Sequence, residues 1–225
     1  MYFEKQYSAL DDANDKYGYA SFGSMSSFTW NNDPKRLVFL LSRYKFVSKM
    51  FHDFPSVLEV GCADAFASRI VSQSVGELTV TDIDKKLLDE ANRLGRTGPY
   101  PFNSFWHDIL ESKMTGSFDG IYLLDVLEHI SVDDEKTFIS NILPSLNFDG
   151  QMIIGIPSLE SQKYASQESK EGHVNCKSSS QLRNTLKEYF HNVNIFSMND
   201  EVVHTGFESM SHYLMALCSY KKDIG

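Results

Sequence analysis

A chain of 225 residues with 42% hydrophobic content fits one α/β domain with an appendage, large enough to bury a core without a disulfide or structural metal. A net charge of −9 disfavours phosphate backbones, so nucleic acid is an unfavourable partner. Cys62, Cys176 and Cys218 lie far apart with no C-x-x-C spacing, which argues against a zinc cluster or a secreted disulfide framework.

In chain order, Met1–Leu10 carries charges and lacks an apolar leader stretch, and no apolar run approaches the roughly 20 residues of a membrane span. The expected location is therefore cytoplasmic, with no membrane partner. Residues 1–33 show no clear periodicity but are rich in aromatics, including Tyr17, Tyr19, Phe28 and Trp30. Such a segment packs as an N-terminal cap or lid on a domain spanning 34–225. Asp33-Pro34 suits the start of a helix, and Leu37, Leu40, Leu41, Tyr44, Val47 and Phe51 mark its buried face. The basic residues Lys35, Arg36, Arg43 and Lys45 and the pair Lys221-Lys222 read as solvated faces.

From Pro55 onward strands and helices alternate. Strands are expected at Val57–Val60, Leu78–Thr81, Asn103–Trp106, Phe118–Leu124 and Met152–Ile156. Helices are expected over Ala65–Val71, after Asp84, after Ser131 and over about 179–190, with a polar loop at 157–177. Two final strands, Asn192–Ser197 and His212–Ser219, have no helix between them and should pair antiparallel. Alternating elements with continuous apolar strands imply a mostly parallel sheet covered on both faces.

In such sheets ligands sit beyond the carboxyl ends of the strands. The first strand runs into Glu59-Val60-Gly61-Cys62-Ala63-Asp64-Ala65, where Gly61 permits a sharp turn and the alanines leave room for a ligand. A dinucleotide fingerprint would need a small residue where Phe66 stands, so NAD and FAD fit poorly. Asp82, 21 positions after Gly61 at the second strand's end, is placed to accept ribose hydroxyls, and Asp84 to cap the next helix.

Taken together these segments resemble the class I S-adenosylmethionine (SAM)-dependent methyltransferases over about residues 34–220. Val57–Ala65 looks like the family's E/D-x-G-x-G-x-G motif, with Ala63 and Ala65 standing where glycine is preferred. Phe118-Asp119-Gly120 through Leu127-Glu128-His129 is similar to its fourth-strand motif, and Leu146–Pro157 to its fifth, with Asp149-Gly150 in place of Gly-Gly. Gly172-His173-Val174-Asn175 with Ser180-Gln181-Leu182 resembles a segment of small-molecule members. The resemblance implies a Rossmann-like seven-stranded sheet, order 3-2-1-4-5-7-6 with strand 7 antiparallel. It implies SAM as cofactor, held by Glu59, Gly61, Cys62, Ala63, Asp82, Ile83, Asp108, Ile109, Leu124 and Asp125, with His107-Asp108-Ile109 at the adenine. Arg43 is a candidate partner for the cofactor carboxylate, a surface arginine being the alternative.

SAM carries its own electrophile, so the protein must position an acceptor, exclude water and, for a hydroxyl, remove a proton. His129 and His173 are the candidate bases; His204 and His212 rank lower. The four N-terminal aromatics named above could stack on the acceptor or sulfonium. Asp125-x-x-Glu128-His129 also presents two carboxylates and an imidazole within one turn, similar to a segment of small-RNA 3′-end and ubiquinone-pathway methyltransferases. The same string occurs in members without a metal, and no metal is assigned. The expected activity is methyl transfer to O or N of a small molecule, such as a sugar or biosynthetic intermediate. The alternatives are a metal-dependent enzyme on a nucleic-acid end and a non-catalytic SAM-binding module.

Overall fold

The computed structural model describes residues 7–223. Its parallel strands are β1 (Ser56–Val60), β2 (Glu77–Asp82), β3 (Asn103–Trp106), β4 (Phe118–Leu124) and β5 (Leu146–Pro157). The antiparallel part is β6 (Phe190–Asn199), β7 (Val202–His204) and β8 (Tyr213–Lys221). The sheet order is β3-β2-β1-β4-β5-β8-β6-β7. Helices are α1 (Ser8–Tyr17), α2 (Ser24–Asn32), α3 (Lys35–Met50), α4 (Arg69–Ser72), α5 (Lys85–Gly95), α6 (Glu135–Ile142), α7 (Gln167–Gly172) and α8 (Ser179–Lys187).

Alternation along each strand sends neighbours to opposite faces. Leu58, Ile121, Leu123, Met152 and Ile154 pack with Phe138, Ile139 and Ile142 of α6 and Leu182 and Leu186 of α8. Val57, Val80, Tyr122, Leu124 and Ile153 pack with Val47 and Phe51 near α3 and Leu88 and Ala91 of α5. Two covered faces explain why the strands read as continuous apolar runs rather than alternating ones.

The expected order holds, with β8 as the antiparallel strand beside β5. An eighth strand, β7, extends the edge. Asn199 pairs with Val202 across a two-residue loop in which Asp200 has φ 49°, a conformation asparagine and aspartate tolerate in hairpin loops. Three residues give too short a run for periodicity to reveal. The helix expected over Ala65–Val71 shrinks to α4, because Ala65 still has φ 53° and belongs to the turn. Asp84 caps α5 as expected, accepting from the Lys86 and Leu87 N–H groups at 2.8 and 3.2 Å. At α3 the Asp33 carbonyl, not its carboxylate, takes the Arg36 N–H at 3.0 Å. The polar loop holds a 3-10 turn at Leu159–Tyr164 and then α7, started by the hydroxyls of Ser158 and Ser166. The aperiodic N-terminal segment forms α1 and α2; its first six residues, and most of the stretch read as lacking a leader, lie outside the described residues. Among the described residues no helix is long and apolar enough to cross a membrane.

Candidate cofactor and catalytic site

Parallel pairing brings the ends of β1, β2, β3, β4 and β5 to one edge of the sheet, and the residues singled out from the sequence gather there. The turn after β1 is wound left-handed at three positions: Gly61 (φ 78°), Ala63 (φ 49°) and Ala65 (φ 53°). Only glycine fits the first, where a Cβ would lie 2.3 Å from Val126 Cγ2. For alanine the left-handed region costs roughly 1–2 kcal/mol per residue. Something must therefore hold the turn, and two ties do. Gly61 and Cys62 N–H groups donate to the Thr81 carbonyl at 2.8 and 3.1 Å, and the Ala63 N–H donates to the Asp82 carboxylate at 2.8 Å. The other Asp82 oxygen takes the Asp84 N–H at 2.8 Å. Asp82 thus joins the cofactor-type turn to the end of β2, and each oxygen keeps a further lone pair for a ligand hydroxyl.

Glu59 was expected to face the cofactor. It is 1% exposed, and its two oxygens each accept a tyrosine hydroxyl at 2.7 Å, from Tyr44 of α3 and Tyr122 of β4. Burial raises its pKa above the usual carboxylate value. This corrects its role to supporting the turn from beneath. The side chains of Cys62, Ile109 and Leu124 are taken up by the two core clusters, so what these positions present at the sheet edge is backbone. Ile83 is 60% exposed beside the turn, and its carbonyl accepts the Trp106 indole N–H at 2.8 Å. Asp108 bends its own loop by accepting the Leu110 N–H at 2.9 Å.

Beyond β4, Asp125 has φ 57°, and its N–H donates to the Gly155 carbonyl at 3.0 Å. Its carboxylate lies 2.5 Å from the Arg43 guanidinium, which stacks over the Tyr213 ring at 3.7 Å. Arg43 is therefore no free surface arginine. A 3-10 turn follows at Leu127–His129. Glu128 is 0% exposed, and neither carboxylate oxygen has a hydrogen-bond partner. Burial pushes its carboxyl well above the usual range, and Asp125 adds to this while Arg43 opposes it.

His129 and His173 meet here, with ring centroids 5.2 Å apart and planes at 69°. The His129 Nδ1–H donates to the Gly172 carbonyl at 2.9 Å, and the His173 Nδ1–H to the Gln162 carboxamide oxygen at 3.0 Å. Those acceptors assign the tautomers and leave each Nε2 as a lone-pair site. Burial and the neighbouring His129 hold the His173 pKa below the usual histidine value, favouring the neutral ring. Ligand atoms of Glu128, His129 and His173 all lie within 4.8 Å of one another. The Val174 and Asn175 N–H groups pin the loop by donating to the Glu128 carbonyl at 2.8 and 3.0 Å. His204 and His212 do not join them. His204 bonds Asn199 and the Gly206 N–H, and His212 accepts the Asp200 N–H, so both brace the β6–β7 hairpin.

The N-terminal helix α2 is anchored by polar contacts that leave no periodic signal in the sequence. Buried Asp64, in the cofactor-type turn, accepts the Ser26 N–H at 2.7 Å and the Ser26 hydroxyl at 3.0 Å. Glu90 of α5 accepts the Ser24 N–H and hydroxyl at 2.7 and 2.9 Å. Phe22 packs on Phe66 at 4.6 Å and on Trp30 at 5.8 Å. Tyr19 and Phe28 face solvent instead. The signal for Tyr44 was available: a tyrosine on a buried helix face needs a partner for its hydroxyl.

This sheet order, with β8 antiparallel beside β5 and a left-handed turn after β1, is that of the class I methyltransferase fold. Residues 58–152 match the family model described as "Methyltransferase domain". The chain is similar in structure to the N-methyltransferase NodS from Bradyrhizobium japonicum WM9, solved with S-adenosyl-L-homocysteine (TM-score 0.63, 19% identity, covering 96% of this chain and 99% of that one). It is similar to the methyltransferase domain of bacterial CtHen1-C (TM-score 0.67, 14% identity, 82% of this chain and 100% of that one). A third is the plantazolicin methyltransferase BpumL with S-adenosylhomocysteine (TM-score 0.64, 16% identity, 86% and 88%). No curated protein matches in sequence.

Proposed function

We propose that the chain transfers a methyl group from SAM to an oxygen or nitrogen of a small molecule. The observation that carries this reading is the turn Gly61–Ala65, held left-handed and tied to Asp82 at the carboxyl edge of a methyltransferase-family segment. When bound, SAM supplies a methyl group already activated on a sulfonium. Asp82 would hold the ribose hydroxyls with its remaining lone pairs, and Ile83 and Asp108 would be the residues toward the adenine. Arg43 and Asp125, one positive and one negative, match the carboxylate and ammonium of the cofactor's amino-acid end. On the acceptor side His173, neutral and fixed by Gln162, offers Nε2 to an acceptor proton, and His129 shares the position. The cap on Asp64 and Phe66 keeps water from the turn. A net charge of −9 supports an acceptor that is not a nucleic acid, and a sugar or biosynthetic intermediate suits the polar loop around His173.

The test pairs two variants. Asp82→Ala should weaken SAM affinity in calorimetry at least about tenfold, in line with one lost bidentate contact of roughly 1.5–3 kcal/mol. His173→Ala should lower turnover on an acceptor panel more than it lowers SAM affinity. Unchanged affinity in the first variant rejects the ribose role; equal losses in the second remove His173 from the acceptor side.

A second reading rests on Glu128, whose buried oxygens have no partner and whose carboxylate lies within 4.8 Å of a ring nitrogen of each of His129 and His173. A divalent cation fits this donor set, because it would satisfy the orphaned carboxylate and use two imidazoles already oriented by carbonyl oxygens. Glu128, His129 and His173 would then hold the ion, which would bind and acidify the acceptor hydroxyl in place of a histidine base. Under this reading a chelator abolishes turnover and Mn²⁺ or Mg²⁺ restores it; full activity in chelator leaves the histidine-base reading.

A further inference from the structure

Tyr213 opens β8 at the carboxyl edge, opposite Pro157 of β5 and Met198 of β6. It is 1% exposed, and its hydroxyl has no hydrogen-bond partner. Gly155 of β5 makes room for it, since a Cβ there would lie 2.6 Å from the hydroxyl oxygen. A large ring can therefore settle over the residue whose carbonyl takes the Asp125 N–H. The ring is buried without using its hydroxyl, so what it offers the site is its face. Over that face lies the Arg43 guanidinium, 3.7 Å from the ring centroid. Arg43 comes from α3, and its side chain, 15% exposed, also meets Asp125 at 2.5 Å.

We propose that Tyr213 is a positioning residue for the cofactor: its ring holds the Arg43 guanidinium where the carboxylate of SAM arrives. This inference rests on the reading of Arg43 as the partner of that carboxylate. An arginine side chain has many rotamers, and a site that must order it on binding loses affinity. The ion pair with Asp125 alone leaves the guanidinium free to turn about one nitrogen. A ring face against it removes that freedom and attracts the cation where water screens little. Arg43 is thereby set before the cofactor arrives, and Asp125 stays beside it for the ammonium. Tyr213 acts only through Arg43, and no bond is made or broken.

The experiment is calorimetry of the full chain with SAM and with decarboxylated SAM, which keeps the adenosine, sulfonium and ammonium and lacks only the carboxylate. The unaltered chain should bind SAM at least about tenfold more tightly, the size of a charge-assisted pair. Arg43→Met should lose that preference. Tyr213→Leu should keep its affinity for decarboxylated SAM, showing that it folds, while its preference for SAM falls at least about fivefold. Tyr213→Phe keeps the ring face and should retain the preference of the unaltered chain. Arg43→Lys leaves the core untouched and keeps the charge, but lysine does not replace a guanidinium stacked on a ring, so the preference should fall here as well. This variant decides the matter if Tyr213→Leu does not fold. An undiminished preference in Tyr213→Leu or in Arg43→Lys overturns the positioning role and leaves Arg43 its assignment, as does a lost preference in Tyr213→Phe. No preference in the unaltered chain, or one that survives in Arg43→Met, overturns the carboxylate reading and the inference with it.

Discussion

Among the described residues, three of the six non-glycine residues with positive φ lie at the carboxyl ends of β1 and β4. Gly61, Ala63, Ala65 and Asp125 all have positive φ, and all lie just past β1 or β4. Backbone strain of this kind persists where surrounding contacts over-determine it, and it clusters at ligand sites. At Ala63 and Ala65 two effects compete. The left-handed penalty on alanine is roughly 1–2 kcal/mol, while glycine adds about 0.5–1 kcal/mol of unfolded-state freedom. The penalty is larger, so Ala63→Gly and Ala65→Gly should each stabilise the protein by about 0.5–1 kcal/mol. A higher urea midpoint at unchanged slope would show it; a lower midpoint would mean that the methyl groups pack in ways that outweigh the strain. The sequence identified both alanines as departures from the family pattern, but no local signal could show that the backbone keeps the glycine conformation. That conformation is imposed from a distance, by Asp82 on the Ala63 N–H.

At the scale of elements, legibility followed apolar burial. The strands and α3, α5, α6 and α8 present stripes to the two cores, and their positions could be read from periodicity to within a few residues. The cap could not. Helix α1 buries no residue and α2 buries only Ser26, so neither has a stripe to read. Polar anchors hold α2 instead, and such pairs leave no periodic trace. Gly23 is the point at which this docking can be broken selectively, since a Cβ there would lie 2.3 Å from the Asp64 Cβ. Gly23→Ala should therefore lift the cap from the cofactor turn. Hydrogen exchange of amides 24–32 should quicken at least about tenfold, the loss of roughly 1.4 kcal/mol of local stability, while the sheet keeps its protection. Uniform destabilisation of cap and sheet together would show that the cap is part of the cooperative core.

For the whole molecule, sheet order was legible because ordered motifs carried it, whereas the meeting of distant side chains was not. His129 and His173 come together only when the loop after β5 folds back on the Glu128 carbonyl, and Arg43 reaches Asp125 only when α3 packs across β4. These contacts assemble at one edge of a sheet whose two cores lie elsewhere, so the site adds cost to the fold: an unpartnered buried carboxylate at Glu128, an unpartnered Arg43 Nε and the left-handed turn. A ligand that satisfies these groups should stabilise the entire chain, since binding to the folded state alone shifts unfolding by mass action. At a concentration of 100 times its dissociation constant, S-adenosylhomocysteine should contribute about 2.7 kcal/mol. For a chain of this length that corresponds to a rise of about 5–10 °C in Tm. Asp82→Ala should have a lower ligand-free Tm, since it loses the ties to the Ala63 and Asp84 N–H groups, and relative to that Tm it should lose most of the rise at the same ligand concentration. A rise that survives in Asp82→Ala would move the cofactor away from the turn after β1, and with it the reading of the whole carboxyl edge as the active site.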